Sequence, residues 1–107
     1  MQRQFTGLWR IVEMDSWDQS FVDEEEPGFI KIAPKGRGEF HFGYIHGEID
    51  WRVSQKGKQA YLDFSWAGYD ENDAVNGRGW VSLKDGQMIG HIFFHLGEDS
   101  GFKADKA

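Results

Sequence analysis

Apolar and polar residues alternate along most of the chain, in short runs separated by glycine-containing or charged turns. An alternation with a period of two is typical of β-strands that bury one face. Asp85-Gly86 is a strong signal for a two-residue hairpin turn between the last two runs. The pattern predicts strands at residues 5–14, 29–33, 39–46, 48–55, 60–67, 78–84 and 87–96.

The connections between these runs complete the predicted fold. Residues 15–28 are too polar and too long for a hairpin, and they predict one helical turn around Trp17–Val22, before Pro27-Gly28. Gly47 is predicted to be a turn, residues 68–77 a polar loop, and the tail from Gly97 loose apart from Phe102.

Seven or eight strands joined mainly by short turns predict an all-β fold, an antiparallel up-and-down meander. Such a sheet is expected to close into a small barrel, because an open sheet leaves two unpaired edges. The chain shows no repeat, linker or low-complexity segment. We therefore expect residues 1–107 to form a single β-barrel domain.

The alternation also assigns side chains to two faces of the sheet. One face carries most of the large apolar residues, so it is expected to be the core. Its members are Trp9, Ile11, Ile30, Ile32, Phe40, Phe42, Tyr44, Ile49, Trp51, Val53, Leu62, Phe64, Trp66, Val81, Leu83, Met88, Ile92, Phe94 and Leu96.

The opposite face mixes aromatic, histidine and charged residues from the third predicted strand, which carries His41, to the seventh. It could be a solvated surface with cross-strand pairs such as Arg52 with Asp63. It could equally bind a ligand or a partner, because Tyr61, Trp80 and Phe93 together form a large apolar exposure. The candidate binding residues are Arg52, Tyr61, Asp63, Trp80, His91, Phe93 and His95.

His91 and His95 have the spacing of a metal-binding pair, but only on a helix, where both imidazoles reach one ion. GHIFFHLG, residues 90–97, is typical of a strand, on which four residues span roughly 13 Å. The two histidines are therefore not expected to share a metal ion, and we predict no metal site.

Composition excludes several classes of protein. The chain has no cysteine, which excludes a disulfide scaffold and a thiolate site. The net charge of −6 disfavours nucleic acid and anionic membranes as partners. The N-terminus lacks the apolar segment of a signal peptide, and no apolar run approaches a membrane span, so a cytoplasmic location is expected.

No nucleotide-binding loop or nucleophile motif is present, so no cofactor is expected. The acidic run at residues 23–26 is expected to be a solvated loop.

Gly7-Leu8-Trp9, at the start of the first strand, resembles the G-x-W signature that opens lipocalin-type (calycin) barrels. The resemblance implies that Trp9 plugs the base of the barrel and that a loop with a helical turn follows the first strand. The arginine that packs over this tryptophan in the family has no expected counterpart after His95. The chain is also shorter than a typical lipocalin, which implies a small or filled cavity.

A longer pattern, WRIVEMDSWD at residues 9–18 followed by GRGEFHFG at residues 36–43, resembles a family of small uncharacterised bacterial proteins. That resemblance implies a fold and no activity.

Three functions remain open from the sequence. The first is a non-enzymatic binding module that holds a small ligand or a protein partner on the polar-aromatic face. The second is a homodimeric structural or interaction subunit that uses the same face, with roughly 800 Å² buried per partner. The third, favoured least, is a haem or metal binder that depends on His91 or His95.

Overall fold

The computed structural model describes residues 2–107 and consists of eight antiparallel strands. A short 3₁₀ helix, Gln2–Gln4, precedes the first strand, and one helical turn, α1 (Gln19–Val22), follows it. The strands are β1 (Gly7–Met14), β2 (Phe29–Ala33), β3 (Arg37–Phe42), β4 (Ile45–Lys56), β5 (Gln59–Asp70), β6 (Asp73–Lys84), β7 (Gln87–Phe94) and β8 (Asp99–Lys106).

Each strand pairs with its neighbour in sequence, and β8 returns to pair with β1, so the sheet is a closed barrel. The prediction of an all-β meander that closes into a barrel, with a helical turn after the first strand, is therefore confirmed. Closure pairs both edges that an open eight-stranded sheet would leave free.

The tail was expected to be loose, and that prediction is wrong. Residues 99–106 form β8, which bonds to β7 on one side and to β1 on the other. Ser100, Phe102 and Ala104 alternate inward along this strand and are buried. The strand is stabilised because both of its edges are paired, although its own apolar pattern is weak.

Two predicted connections are also corrected. The turn between β3 and β4 lies at Gly43-Tyr44, where Gly43 adopts a φ of 60°, and Gly47 lies inside β4. Residues 68–77 were expected to form a loop, but β5 and β6 continue through them to a turn at Glu71 and Asn72. The Asp85-Gly86 hairpin is confirmed, with a positive φ at both residues.

The barrel interior is filled with aromatic and aliphatic side chains. Fourteen large residues of the predicted core face lie there, and Leu83 and Phe94 pack against them. Sequence reasoning missed six further buried residues, which lie at strand ends, in α1 or on β8: Phe5, Met14, Val22, Ile45, Phe102 and Ala104.

Three residues predicted to be core are exposed instead: Tyr44 by 38%, Val53 by 44% and Leu96 by 95%. Tyr44 and Leu96 lie in turns, where the alternation of a strand no longer holds. Val53 lies near the end of β4, beyond Asp50, which is the last β4 residue paired with β3.

Glycines on the inner face make room for the large rings. A Cβ at Gly47 would lie 2.6 Å from the ring of Phe40 and 2.9 Å from that of Trp66. A Cβ at Gly90 would lie 2.5 Å from the ring of Phe102. The barrel thus holds more aromatic volume than a uniform lining of large residues would allow.

The up-and-down topology gives the barrel two different ends. The turns at residues 34–36, 57–58 and 85–86 lie at one end with the N-terminal 3₁₀ helix and the last residues of β8, and we call this the basic end. The helix α1 and the turns at residues 43–44, 71–72 and 95–98 lie at the other end, which we call the acidic end.

Candidate functional site

Four of the predicted site residues form one cross-strand row. Arg52 on β4 lies opposite Asp63 on β5, Asp63 lies opposite Trp80 on β6, and Trp80 lies opposite His91 on β7. Apart from Val53, their neighbours along each strand are buried, so the row lies on the outer surface of the barrel. Side chains directly opposite on one face are close enough to interact.

Four rings on this surface form what we call the aromatic strip: Tyr61, Trp80, His91 and Phe93. The ring centroids of Tyr61 and Trp80 lie 5.8 Å apart in an edge-to-face arrangement. Those of Trp80 and His91 lie 6.5 Å apart, and those of His91 and Phe93 lie 4.5 Å apart. All four side chains are half-buried, so each ring retains some solvent-accessible surface.

Charged side chains hold both ends of the aromatic strip. The guanidinium carbon of Arg78 lies 4.2 Å from the ring centroid of Phe93, and the Nζ of Lys56 lies 5.6 Å from that of Tyr61. Both are cation–π contacts. The Nε2 of His91 donates to the Oδ2 of Asp99 at 2.5 Å, which fixes the imidazole beside Trp80.

Asp99 is a residue of this surface that sequence reasoning missed. It lies on β8, opposite Phe93, and β8 was not predicted. The only signal in the sequence was a carboxylate two residues before a glycine and three before Phe102, which is too weak to place a strand.

His95 does not lie on the strip. The strand β7 ends at Phe94, and His95 is exposed in the turn that follows. Its backbone N–H donates to the carbonyl of Asn76 at 2.7 Å, and the positive φ of Leu96 reverses the chain. The prediction that the strand runs to residue 96 is therefore wrong, and His95 is separated from His91 by the end of the sheet.

An open groove lies beside the aromatic strip, across β4, β5 and β6, and we call it the outer groove. Four charged side chains border it, and within residues 2–107 none of them has an ion-pair partner closer than 4.0 Å. The side chains that line the groove include Asp50, Arg52, Asp63, Ser65, Arg78 and Trp80.

Arg52 and Asp63 were expected to pair across neighbouring strands. The strand register brings them opposite each other, but their side chains do not form an ion pair. The two residues lie opposite each other on β4 and β5. Even so, no nitrogen of Arg52 lies within 4.0 Å of a carboxylate oxygen among the described residues. Both charges therefore remain available on the outer surface.

A different charged cluster lies at the acidic end. The Nδ1 of His41 bonds to the Oε2 of Glu26 at 2.7 Å, and its Nε2 bonds to the Oε1 of Glu25 at 3.0 Å. These contacts attach part of the acidic run to β3, while the side chains of Glu25 and Glu26 stay about half exposed in a solvated loop. Within residues 2–107, no group of three metal-ligating side chains has a geometry that could hold an ion.

Carboxylates also act on Tyr44 at this end of the barrel. The charge of Glu24, followed by burial and by the charges of Glu25 and Glu71, raises the pKa of Tyr44 above its usual value. The raised pKa reflects a negative local field at Tyr44. This field was not evident from the sequence, because Glu71 and Glu24 lie far apart along the chain.

The fold and these surfaces define an eight-stranded antiparallel β-barrel with a filled interior and a polar-aromatic outer face. No protein-family model, curated protein or solved structure gives a significant match to the chain. Among residues 2–107, no helix has the length and apolar character needed to cross a membrane.

Proposed function

We propose that this protein is a non-enzymatic binding module that holds a small polar ligand with a flat apolar ring in the outer groove. The observation that carries the proposal is the convergence of Arg52, Asp63 and Trp80 on one concave part of the outer surface. A few polar groups beside an aromatic wall are the usual composition of a small-molecule site.

The charges of the groove indicate what the ligand would offer. Arg52 and Arg78 supply donors, and Asp50 and Asp63 supply acceptors, without ion-pair partners within the described residues. A ligand that carries both an acidic and a basic group satisfies both signs at once. The half-buried indole of Trp80 provides a surface for a flat ring.

The filled interior supports an external site. Trp9, Trp66, Phe40 and Phe42 are among the rings that occupy the barrel, and each is at most 3% exposed. A ligand would therefore bind between side chains on the outside, where the groove is open and the expected affinity is modest.

The proposal is tested by nuclear magnetic resonance titration with phenylalanine, benzoate and benzamidine as probes. Phenylalanine carries both charges, whereas each of the other two carries one. We expect phenylalanine to shift the indole N–H signal of Trp80 most strongly and in a saturable manner. The variants Asp63→Asn and Arg78→Gln should weaken this binding, whereas Lys103→Gln on β8 should not. If no probe shifts that signal at millimolar concentration, the proposal is wrong.

A second candidate function is self-association through the aromatic strip. Trp, Tyr and Arg are the residue types that dominate the energetics of protein interfaces, and Tyr61, Trp80 and Arg78 lie together here. The variant Trp80→Glu should convert a dimer to a monomer in light scattering, whereas Tyr69→Glu, at a tyrosine that is 60% exposed elsewhere, should not. A parent protein that stays monomeric at high concentration would exclude this candidate.

We also propose that the barrel is calycin-like. Trp9 is 3% exposed, and its Nε1 donates to the carbonyl of Phe5 at 2.8 Å, which supports its role as a plug at the basic end. The Nζ of Lys106 lies 4.8 Å from the ring centroid of Trp9 and donates to the carbonyl of Thr6. A lysine thus occupies the position over the tryptophan that an arginine takes in calycins.

A further inference from the structure

We propose that a cleft at the basic end of the barrel binds the phosphate group of a small phosphate ester. We call it the basic cleft, and its defining side chains are Arg3, Lys35, Arg52 and Val53. They come from three separate segments: the N-terminal 3₁₀ helix, the turn between β2 and β3, and β4. The cleft adjoins the outer groove, and Asp50 and Arg52 border both.

The first argument is uncompensated positive charge. Three cationic side chains line the cleft, against one carboxylate, that of Asp50. Within residues 2–107, none of the three cations has an ion-pair partner closer than 4.0 Å. The whole chain carries a net charge of −6, so a local excess of cations is unusual here and favours an anion.

The second argument is that the walls of the cleft are held in place before any ligand binds. The Nε1 of Trp51 donates to the carbonyls of Ala33 at 3.0 Å and Arg37 at 2.7 Å, and its backbone N–H donates to Gly36 at 2.9 Å. These bonds tie the turn that carries Lys35 to β4. A site that is already ordered loses less entropy when it binds its ligand.

The N-terminal wall is held in a similar way. The hydroxyl of Thr6 donates to the carbonyl of Arg3 at 3.1 Å, and the Nζ of Lys106 donates to the carbonyl of Thr6 at 2.6 Å. The segment that carries Arg3 is thus attached to the last strand of the barrel. Only the long cationic side chains need to reorient around a ligand.

The third argument concerns the chemistry of the ligand. A guanidinium group binds two phosphate oxygens at once, and an ammonium group adds a point charge. A phosphate dianion therefore suits the three cations better than a single carboxylate does. The side chain of Val53 is 44% exposed on the cleft wall, and it offers an apolar contact for the organic part of an ester.

The test is a titration of the parent protein with inorganic phosphate and with phenyl phosphate, at pH 8 and constant ionic strength. The reporters are the indole N–H signal of Trp51 and the backbone amide signals of Lys35 and Gly36. We expect saturable shifts at these three reporters, and tighter binding of phenyl phosphate than of phosphate. The difference between the two probes should disappear in Val53→Ser.

The following variants distinguish a specific phosphate site from non-specific attraction of anions by positive charge. The double variant Arg3→Gln with Lys35→Gln should weaken phenyl phosphate binding about tenfold. The double variant Lys58→Gln with Lys84→Gln removes the same charge from the same end outside the cleft, and it should leave binding unchanged. Asp50→Asn should tighten binding about threefold, because it removes the one opposing charge.

Two results would overturn the proposal. Equal weakening in both double variants would mean that phosphate responds only to net charge. Shifts that do not saturate, or that are spread over all exposed lysines, would mean the same. Because Trp80 and Arg78 remain in every variant, binding at the outer groove is scored separately by the indole signal of Trp80.

Discussion

A single carboxylate, that of Asp23, joins three parts of the chain at the acidic end. Its Oδ2 accepts from Arg10 at 3.2 Å and from the side chain of Gln19 at 3.1 Å, and its Oδ1 accepts from the backbone N–H of Gly28 at 2.8 Å. Burial acts to raise the pKa of Asp23, but the bonds from Gly28, Gln19 and Arg10 outweigh it, so the pKa is lowered.

The lowered pKa determines how Asp23 contributes to stability. In the folded state the pKa of Asp23 lies below its ordinary value of 3.8, so folding favours the ionised carboxylate. Its contribution is therefore complete above that pH and is lost as the pH falls through the lower folded-state value. We expect Asp23→Asn to lower the free energy of unfolding by about 1 kcal/mol at pH 7.

Urea unfolding at pH 7 and at pH 3 checks this expectation. The difference between the parent and Asp23→Asn should shrink at pH 3, which lies below the ordinary value of 3.8, because the unfolded chain then binds a proton more readily than the folded one. Asp18→Asn is the matched control, because Asp18 lies before α1 without a side-chain capping bond. A difference that is the same at both pH values, or equal in the control, would contradict the role of the Asp23 charge.

The direction of a side chain and its contacts depend on different levels of structure. The alternation correctly placed Arg52, Asp63, Trp80 and His91 on the outer surface, because side-chain direction along a strand is a local property. It did not show that His91 bonds to Asp99, because that contact depends on the pairing of β7 with β8.

At the scale of elements, β8 is the decisive strand because it closes the barrel. Phe102 on β8 is 3% exposed and belongs to the core. We expect Phe102→Ala to lower the free energy of unfolding by about 3–4 kcal/mol, the usual cost of removing a buried aromatic ring. Denaturant unfolding measures this change.

The control for this prediction lies on the same strand. Lys103 points outward and is exposed, so Lys103→Ala should change the stability by no more than about 0.5 kcal/mol. If Phe102→Ala proved as mild as the control, β8 would not contribute to the core in solution.

The weak pattern of β8 explains why its pairing could not be foreseen. Aspartate, glycine and lysine, which are common in residues 97–107, are all depleted in strands. The segment becomes a strand because two neighbouring edges offer backbone partners along its whole length. The extension of β5 through Asp70 has the same cause, since it is paired with β4 on one side and with β6 on the other; residues 73–76 of β6 pair with β5 alone.

At the scale of the whole molecule, the interior of the barrel is occupied by its own side chains. An eight-stranded barrel has an interior that side chains can just fill, and here the rings and the inner glycines are matched to each other. We therefore expect no binding of a long-chain fatty acid inside the barrel, in contrast to a lipocalin with an open cavity.

Thermal unfolding in the presence of oleate below its micellar concentration checks this expectation. The melting temperature and the total tryptophan fluorescence should be unchanged, because Trp9, Trp51 and Trp66 are already buried. A saturable rise in the melting temperature would mean that the interior opens to ligands.

The sequence by itself determined the period-two strands, the two faces of each strand, the Asp85-Gly86 hairpin and the absence of cysteine chemistry. The first three depend on residues that are close along the chain, and the last depends on composition alone. The tertiary structure alone decided the closure by β8, the bonds of His41 to Glu25 and Glu26, and the convergence of Arg3, Lys35 and Arg52. These features join distant segments, and their positions depend on strand register and barrel closure, which no local pattern specifies.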